Sequence, residues 1–323
     1  MSANYLGEIN ALAAALTWAF ALVLFKYSGE RIAPLALNLF KGAVGIVLLA
    51  ITLCVAPFLS SIMGDESLAR FLEQPREAIL LMILSGVIGI ALADTLFFYA
   101  LNVVGVGIVS IIDCLYTPFV FLFSVLLLGD SLTWLHWLGG ALIIVGVLVS
   151  SGHKPPAHVT RGRLITGISV GSLAMGCMAF GIVIVKPALQ TFPLFWAATL
   201  RLSAGTAALM LVAPWLTPRG SPSIWAVFRP SSVWKTAVPG AVLGTYMAYV
   251  FWVAGFKYGQ AATAAVLNQT TVIFAISLAT IIVKEPLTFR KVVSVMLAVV
   301  GVLVTVFHDK IAAWWSAAWV AVG

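Results

Sequence analysis

The sequence predicts an all-α polytopic membrane protein with ten transmembrane helices arranged as two inverted five-helix repeats. Of its 323 residues, 62% are hydrophobic and only 9% are charged, whereas soluble proteins average roughly 25% charged residues. Apolar stretches long enough to cross a bilayer recur along the whole chain, and its two halves resemble each other. So few charges exclude both a water-exposed globular surface and a disordered chain.

Ten apolar stretches are separated by proline, glycine or charged residues. A membrane-crossing helix needs about 20 apolar residues, so each stretch is predicted to be one transmembrane helix. The stretches fall at about 7–26, 34–57, 78–101, 104–128, 133–151, 163–185, 193–216, 236–256, 261–283 and 288–307. We therefore expect a first five-helix unit at 1–151, a linker at 152–162, a second unit at 163–308 and an interfacial tail at 309–323.

An internal repeat relates the two halves. A shift of 155 residues lays 89–149 on 244–304 without a gap, with 11 identities in 61 positions. A shift of 160 residues relates the front parts and places Lys41 on Arg201. Because each unit has an odd number of crossings, the second unit must be inverted in the membrane. Inverted repeats with a substrate site between the halves are typical of secondary transporters.

Four ionisable residues lie inside the predicted helices, where a charge costs about 2.5–3.5 kcal/mol at the bilayer centre. Asp94 and Asp113 lie at similar depth on the third and fourth helices. If they face each other, they share a proton and could couple transport to protons. The alternative is that each is a neutral acid bonded to a neighbouring backbone. Lys41 and Arg201 either extend to the nearer interface or hold an anionic substrate or a gating carboxylate.

Further polar and aromatic side chains are predicted to surround a cavity between the halves. The aligned repeat positions are Asp113 with Asn268, Tyr116 with Thr271, and Asp94 with Tyr249. Tyr246 stands three residues before Tyr249, and Trp18 adds to an aromatic wall suited to amphipathic or cationic substrates. The predicted substrate-binding or coupling residues are Asp94, Asp113, Tyr116, Asn268, Thr271, Tyr246, Tyr249, Trp18, Lys41 and Arg201. For any single aromatic residue, simple packing is the alternative interpretation.

The sequence gives little support to catalysis. Two Gly-x-x-x-Gly patterns, at 167–171 and 240–244, indicate close helix contacts. The first also fits Gly-x-Ser-x-Gly through Ser169, but a nucleophile elbow requires a turn between a strand and a helix. No P-loop for ATP is present, and the three cysteines lie in separate apolar stretches. We therefore expect no catalytic residue, no cofactor and no metal.

The chain resembles the EamA-type transporters of the drug/metabolite transporter superfamily. The resemblance is carried by Lys26 and Lys186, by the stretches 89–101 and 244–256, and by the turns LGDSLTW (128–134) and VKEPLTF (283–289). The first of these turns departs from the family's usual Gly-Glu-Pro. The resemblance covers nearly the whole chain. It implies a cavity between helices one, three, four, six, eight and nine, and export of amino acids, drugs or other metabolites.

We therefore expect a secondary transporter that exports a small organic metabolite, an amino acid or a drug-like compound by alternating access, with proton coupling as a hypothesis. The expected partners are a small-molecule substrate and the lipid bilayer, with no nucleic acid, and the expected unit is a monomer or homodimer in the bacterial inner membrane. The alternatives are an intramembrane enzyme acting on a lipid-linked substrate and a non-transporting scaffold. One face carries eleven Lys and Arg residues and the other five. This bias predicts outside termini, whereas the resemblance implies inside termini.

Overall fold

The computed structural model describes residues 6–59, 66–129, 134–151, 160–217, 223–258, 267–284 and 286–307. These residues form helices and no β-strand. The α-helices are α1 (Leu6–Gly29), α2 (Pro34–Val55), α3 (Leu68–Leu72), α4 (Arg76–Gly86), α5 (Asp94–Asp113), α6 (Tyr116–Phe123), α7 (Trp134–Ser151), α8 (Arg161–Thr191), α9 (Leu194–Leu216), α10 (Trp234–Gly240), α11 (Tyr249–Tyr258), α12 (Thr271–Ile281) and α13 (Phe289–Val306). The predicted tail at 309–323 and most of the predicted linker lie outside the described residues.

Six helical segments of the described chain are long and apolar enough to cross a membrane, so the protein is an integral membrane protein. They are Leu6–Gly29, Pro34–Phe58, Arg76–Asp113, Arg161–Thr191, Leu194–Trp215 and Trp234–Gly255. Shorter apolar helices cover Tyr116–Leu128, Trp137–Gly146 and Leu267–Ile281. The 38 residues of Arg76–Asp113 would span about 57 Å as one straight helix, far more than a bilayer of about 30 Å. This segment bends at Gly105, where φ is 82° and ψ is 172°, close to the predicted boundary between two helices.

The sequence explains where several helices begin. Pro34 lies in the first turn of α2. A backbone N–H at this position would have no acceptor within the helix, so the proline, which has no N–H, costs the helix no hydrogen bond. Thr160 and Thr288 are the N-caps of α8 and α13. Their hydroxyls accept hydrogen bonds from the backbone N–H groups of Arg163 and Lys291, at 3.4 Å in both cases. Such caps satisfy N–H groups that the first helical turn leaves free.

The second helix of each half packs antiparallel to its equivalent in the other half. A Cβ on Gly42 of α2 would overlap Thr206 of α9. Gly45 lies further along α2, yet it faces Leu202, which lies earlier in α9. Residue numbers therefore rise along one helix while they fall along the other.

The last helices of the two halves, α7 and α13, pack in the same antiparallel sense. A Cβ on Gly146 would lie 2.9 Å from the carbonyl oxygen of Ser294, and one on Gly301 would lie 2.6 Å from that of Gly139. Small residues at these crossings let the backbones approach closely. Equivalent helices of the two halves therefore run in opposite directions, as inverted repeats require.

The first helix of each half packs against the third helix of the other half. The Gly-x-x-x-Gly pattern at 240–244 lies against Phe25 of α1, and the pattern at 167–171 lies against Val104 and Ala100 of α5. These contacts confirm the close helix packing predicted from both patterns. They also interlock the halves, so the space between them is lined by both.

Both halves depart from α-helical geometry at the same repeat positions. A π-helical segment joins α4 to α5 at Val87–Ala93, and another joins α10 to α11 at Ala241–Ala248. The 155-residue shift superposes these segments. It also superposes Gly129 and Lys284, whose φ angles are 75° and 59°. The backbone therefore keeps the repeat where residue types differ, and π segments of this kind are frequent at functional sites.

Candidate substrate cavity

A cavity of about 160 Å³ lies between the two halves. It is lined by the first-half helices α1, α2, α5 and α6 and by the second-half helices α8, α9, α11 and α12. Nine of the ten predicted site residues line it: Trp18, Lys41, Asp94, Asp113, Tyr116, Arg201, Tyr249, Asn268 and Thr271. Polar groups that are costly in lipid are thus gathered at one place.

A buried ion pair joins α2 to α5. Lys41 Nζ lies 2.6 Å from Asp94 Oδ2, and the ammonium lies 5.4 Å from the centre of the Phe98 ring. The partner of Asp94 is therefore Lys41, and a proton shared between Asp94 and Asp113 stays a prediction. Lys41 is 3% exposed and does not extend to an interface. Sequence spacing gave the depth of both carboxylates, but not the direction in which each points.

Asn38 holds the π segment beside Asp94. Its amide nitrogen donates to the carbonyl oxygen of Ile90 and to the hydroxyl of Thr95, at 2.8 Å in each case. A π turn disrupts the regular i to i−4 pattern and leaves carbonyl groups in need of donors. Asn38 therefore supports the backbone that positions Asp94.

Arg201 occupies the position equivalent to Lys41 but has no carboxylate partner among the described residues. Its Cζ atom lies 5.9 Å from the ring centre of Tyr249 and 5.8 Å from that of Trp252. The side chain is buried, at 3% exposure, and its Nε and Nη1 atoms have no hydrogen-bond acceptor in the described part of the chain. Tyr249 is the repeat equivalent of Asp94, so the second half has an aromatic ring where the first half has a counterion.

Asp113 ends α5 at a local break in the helix. The backbone N–H of Cys114 donates to the carbonyl oxygen of Ile111, and that of Leu115 donates to the carbonyl oxygen of Ile112. Each bond joins residues three apart, as in a 3₁₀ turn, rather than four apart, as in an α-helix. The equivalent break at Thr270 has the same bonding, with its N–H donating to Leu267. The second copy has Ile273 at the position of Pro118 and breaks in the same way, so a break of this kind does not require a proline. Within the described residues Asp113 forms neither a hydrogen bond nor an ion pair, and its side chain lines the cavity.

The facing wall comes from the segment that precedes and begins α12. Thr271 donates to the carbonyl oxygen of Asn268 at 2.6 Å. Gln269 also lines the cavity and donates to the hydroxyl of Thr117 at 3.0 Å. The Asn268 amide nitrogen has no acceptor among the described residues. This wall therefore offers a donor that no described neighbour satisfies.

Tyr246 is the one predicted site residue that does not line the cavity. Its hydroxyl lies 2.6 Å from that of Thr52 on α2, and its ring packs against a buried apolar cluster that includes Leu49. The prediction assumed α-helical spacing between Tyr246 and Tyr249. The π segment bonds i to i−5 and separates residues three apart more widely around the axis. Thr245, which the sequence analysis missed, lines the cavity instead.

Equivalent contacts close the helix ends on the two sides of the cavity. Asn102, at the end of the third predicted helix, donates to the Gly29 carbonyl at 3.0 Å. Its repeat equivalent, Lys257, donates to the Phe192 carbonyl at 2.6 Å. Because the repeats are antiparallel, these contacts lie at opposite ends of the helix bundle.

The contact at Phe192 is reinforced by a segment between α2 and α3. Glu66 accepts hydrogen bonds from the backbone N–H groups of Leu194 and Phe195, at 2.7 and 3.0 Å. Phe71 of α3 stacks on Trp196, with ring centres 4.6 Å apart. Glu66 thus binds the free N–H groups at the start of α9, where negative charge is favoured. The first half of the chain therefore covers the junction of α8 and α9.

The fold and the cavity define an integral membrane protein of two antiparallel helical repeats with a polar site between them. Comparison with protein families matches residues 5–152 and 165–307 to the EamA-like transporter family. The chain belongs to the EamA-like transporter family and is a membrane transporter of small solutes. A solved structure described as "Crystal structure of protein" shares the fold, with a TM-score of 0.64, 17% identity, and coverage of 93% of this chain and 96% of that chain. No curated protein matches the chain.

Proposed function

We propose that this chain is a secondary transporter that moves a small organic metabolite by alternating access. The main support is the position of the cavity between two repeats whose equivalent helices run antiparallel. Two similar halves of opposite direction can exchange conformations, which gives two states that open to opposite sides. Ten membrane crossings, export from a bacterial cell across the inner membrane, and action as a monomer or homodimer belong to the same proposal.

The contacts at the helix ends are the gates in this proposal. Asn102 with Gly29 closes one side, and Lys257 with Phe192 closes the other. Asn102 donates one neutral hydrogen bond, which contributes about 1 kcal/mol in net terms, whereas Lys257 donates from a charged group, which contributes about 1.5–3 kcal/mol. Contacts of this size can open through thermal motion, so one gate can open while the other stays closed.

Asp113 is the proposed coupling residue. The charge of Asp94 is already matched by Lys41 at 2.6 Å, whereas Asp113 faces the cavity without a fixed partner in the described chain. A carboxylate in that position can exchange a proton or contact the substrate as the surroundings change. Tyr116, Asn268 and Thr271 supply the neighbouring polar contacts, and the ring of Trp18 supplies an apolar one.

Transport by the purified chain in proteoliposomes tests this proposal. A panel of labelled amino acids, organic acids and organic amines is offered with and without a pH gradient. We expect at least one solute to exchange across the membrane, and a pH gradient to drive its accumulation. Asp113→Asn should still exchange solute but should lose the response to the gradient. The control is Glu77→Gln, which changes an exposed carboxylate at the start of α4.

Two results would contradict the proposal. If Asp113→Asn responds to the gradient as the unmodified chain does, Asp113 does not couple transport to protons. If the unmodified chain, shown to be folded by its melting curve, exchanges no member of the panel, the carrier proposal loses its main expectation.

A further inference from the structure

Arg201 is a buried cation whose charge no described residue neutralises. It is 3% exposed, and no carboxylate lies within ion-pair distance among the described residues. An arginine side chain stays charged at any physiological pH, so it cannot relieve its burial by losing a proton. A buried charge without a partner is strongly unfavourable. A counterion from outside the chain would remove this cost.

The repeat shows that the missing counterion is a local difference between the halves. Lys41 and Arg201 are equivalent, and each contacts the equivalent position on a neighbouring helix. That position holds Asp94 in the first half, 2.6 Å from Lys41, and Tyr249 in the second half, 5.9 Å from Arg201. The first cation is thus paired within the protein, while the second lies beside the stacked rings of Tyr249 and Trp252. A cation–π contact of this kind favours a guanidinium but leaves its N–H groups without acceptors.

The other unpaired polar atoms of the described cavity lining are one obligate hydrogen-bond donor and several hydroxyls, which can donate or accept. The Asn268 amide nitrogen and the hydroxyls of Tyr116 and Tyr249 have no partner among the described residues. The Asn268 nitrogen requires an acceptor, and the hydroxyls can donate to one as well, so a ligand with acceptor oxygens satisfies all of these atoms. A carboxylate offers two oxygens in the plane of a guanidinium and binds it through two parallel hydrogen bonds.

The size and the remaining lining of the cavity limit the rest of the ligand. A cavity of about 160 Å³ is close in volume to an apolar cavity of about 150 Å³ that holds one benzene molecule. The apolar lining includes Phe97, Met178 and Leu202. A ligand with one charged end and a compact apolar body fits both features.

We propose that Arg201 binds the acidic group of the substrate, and that the substrate is a small organic carboxylate with an apolar body about the size of one ring. This inference rests on the proposed transport function and names the substrate class of the same cavity. Asp113 lines the cavity as well and could accept a bond from an ammonium group. Both a simple carboxylate and an α-ammonium carboxylate therefore carry the proposed chemistry, and the test separates them.

The experiment measures thermal melting of the purified full chain in detergent with four probes of similar shape. Phenylacetate carries the carboxylate alone, and phenylalanine adds an ammonium group. Phenylacetamide is a neutral analogue, and phenethylamine is a cation. Ligands that bind only the folded chain raise its melting temperature with concentration. We expect one or both carboxylates to do so, and neither the amide nor the amine.

Variants at Arg201 identify the residue responsible. Arg201→Gln should weaken carboxylate binding by about 10- to 100-fold, the value of a hydrogen bond to a charged group. Arg201→Lys keeps the charge but loses the planar pair of donors, and should bind with intermediate affinity. Lys186→Gln, on an exposed lysine, should bind as the unmodified chain does. Without ligand, Arg201→Gln should melt no lower than the unmodified chain, because it removes an unpaired buried charge.

The inference is overturned if the amide or the amine stabilises the unmodified chain as well as the carboxylates do. It is also overturned if Arg201→Gln binds carboxylates with unchanged affinity. If Arg201→Gln fails to fold, the four probes on the unmodified chain and the Arg201→Lys affinity still decide. A chain that exchanges other solutes in proteoliposomes but ignores all carboxylates refutes this inference and leaves the transport proposal standing.

Discussion

A double-mutant cycle on Lys41 and Asp94 tests whether these two residues form a buried ion pair beside the cavity. Their charged atoms lie 2.6 Å apart, and the two side chains are 4% and 11% exposed. Asp94→Leu or Lys41→Met leaves the other partner as an unpaired buried charge. Breaking a buried pair costs about 3–5 kcal/mol. At about 2 °C per kcal/mol for a chain of this length, each single change should lower the melting temperature by roughly 6–10 °C.

The double variant gives the decisive comparison, because it removes both charges together. Replacing a buried ion pair by apolar residues of similar volume is often neutral or stabilising. Lys41→Met with Asp94→Leu should therefore melt above either single variant. Melting curves of the four proteins in one detergent complete the double-mutant cycle, and Lys186→Met on an exposed lysine is the control that should change nothing. A double variant that loses the sum of the two single losses would refute the reasoning.

Three further predictions concern the backbone and a loop, and thermal melting of the purified variants checks each. A Cβ on Gly86 would overlap the carbonyl oxygen of Arg201, whereas one on Gly140 would lie 3.7 Å from its nearest neighbour. Gly86→Ala should therefore cost about 1–3 kcal/mol, and Gly140→Ala should gain up to about 1 kcal/mol. Lys284 has a φ of 59°, so Lys284→Gly should gain about 0.5–1 kcal/mol and Lys284→Ala should gain nothing. Burial raises the pKa of Glu66 above its ordinary 4.5, against the opposing effect of its backbone hydrogen bonds. Its ionisation is thus harder in the folded chain, so its contribution to stability is full below pH 4.5 and lost as the pH rises through the folded pKa. The melting temperature of the unmodified chain, relative to that of Glu66→Gln, should therefore decrease as the pH rises through the pKa of Glu66 in the folded chain.

Each of these predictions has a contrary outcome. Equal melting of Gly86→Ala and Gly140→Ala would mean that the α4–α9 crossing is loose. A Lys284→Ala variant as stable as Lys284→Gly would remove backbone strain as the cause. A Glu66→Gln difference that grows with pH would reverse the sign derived from burial.

Much of this architecture could be predicted because it depends on residue type and spacing. Apolar length fixed most helices, and the gapless repeat indicated two related halves before any contact was known. The two Gly-x-x-x-Gly patterns predicted close packing, and both lie at crossings between the halves. Ten residues were predicted at the cavity from their polar or aromatic type within apolar stretches, and nine of them line it.

The remaining features depend on rotation about helix axes, which the sequence did not reveal. Asp94 was predicted at the depth of Asp113, but its side chain points to Lys41 on α2. Tyr246 lies outside the cavity lining because the backbone widens into a π segment at Ala241–Ala248. No residue type in the sequence predicts that segment. The unpaired state of Arg201 follows from the replacement of a carboxylate by Tyr249. That replacement is visible in the repeat alignment only once the partner of Lys41 is known.

Labelling of one cavity cysteine from each side of the membrane tests alternating access most directly. Thr245 lines the cavity, is 4% exposed, and its hydroxyl has no partner among the described residues, so Thr245→Cys is a close replacement. It is made after the three native cysteines are changed to alanine, and it is treated with a membrane-impermeant thiol reagent in right-side-out and inside-out vesicles. Ser85→Cys, buried away from the cavity lining, is the unlabelled control. The account predicts labelling of Thr245→Cys from both sides, and labelling from one side only, or from neither, would contradict it.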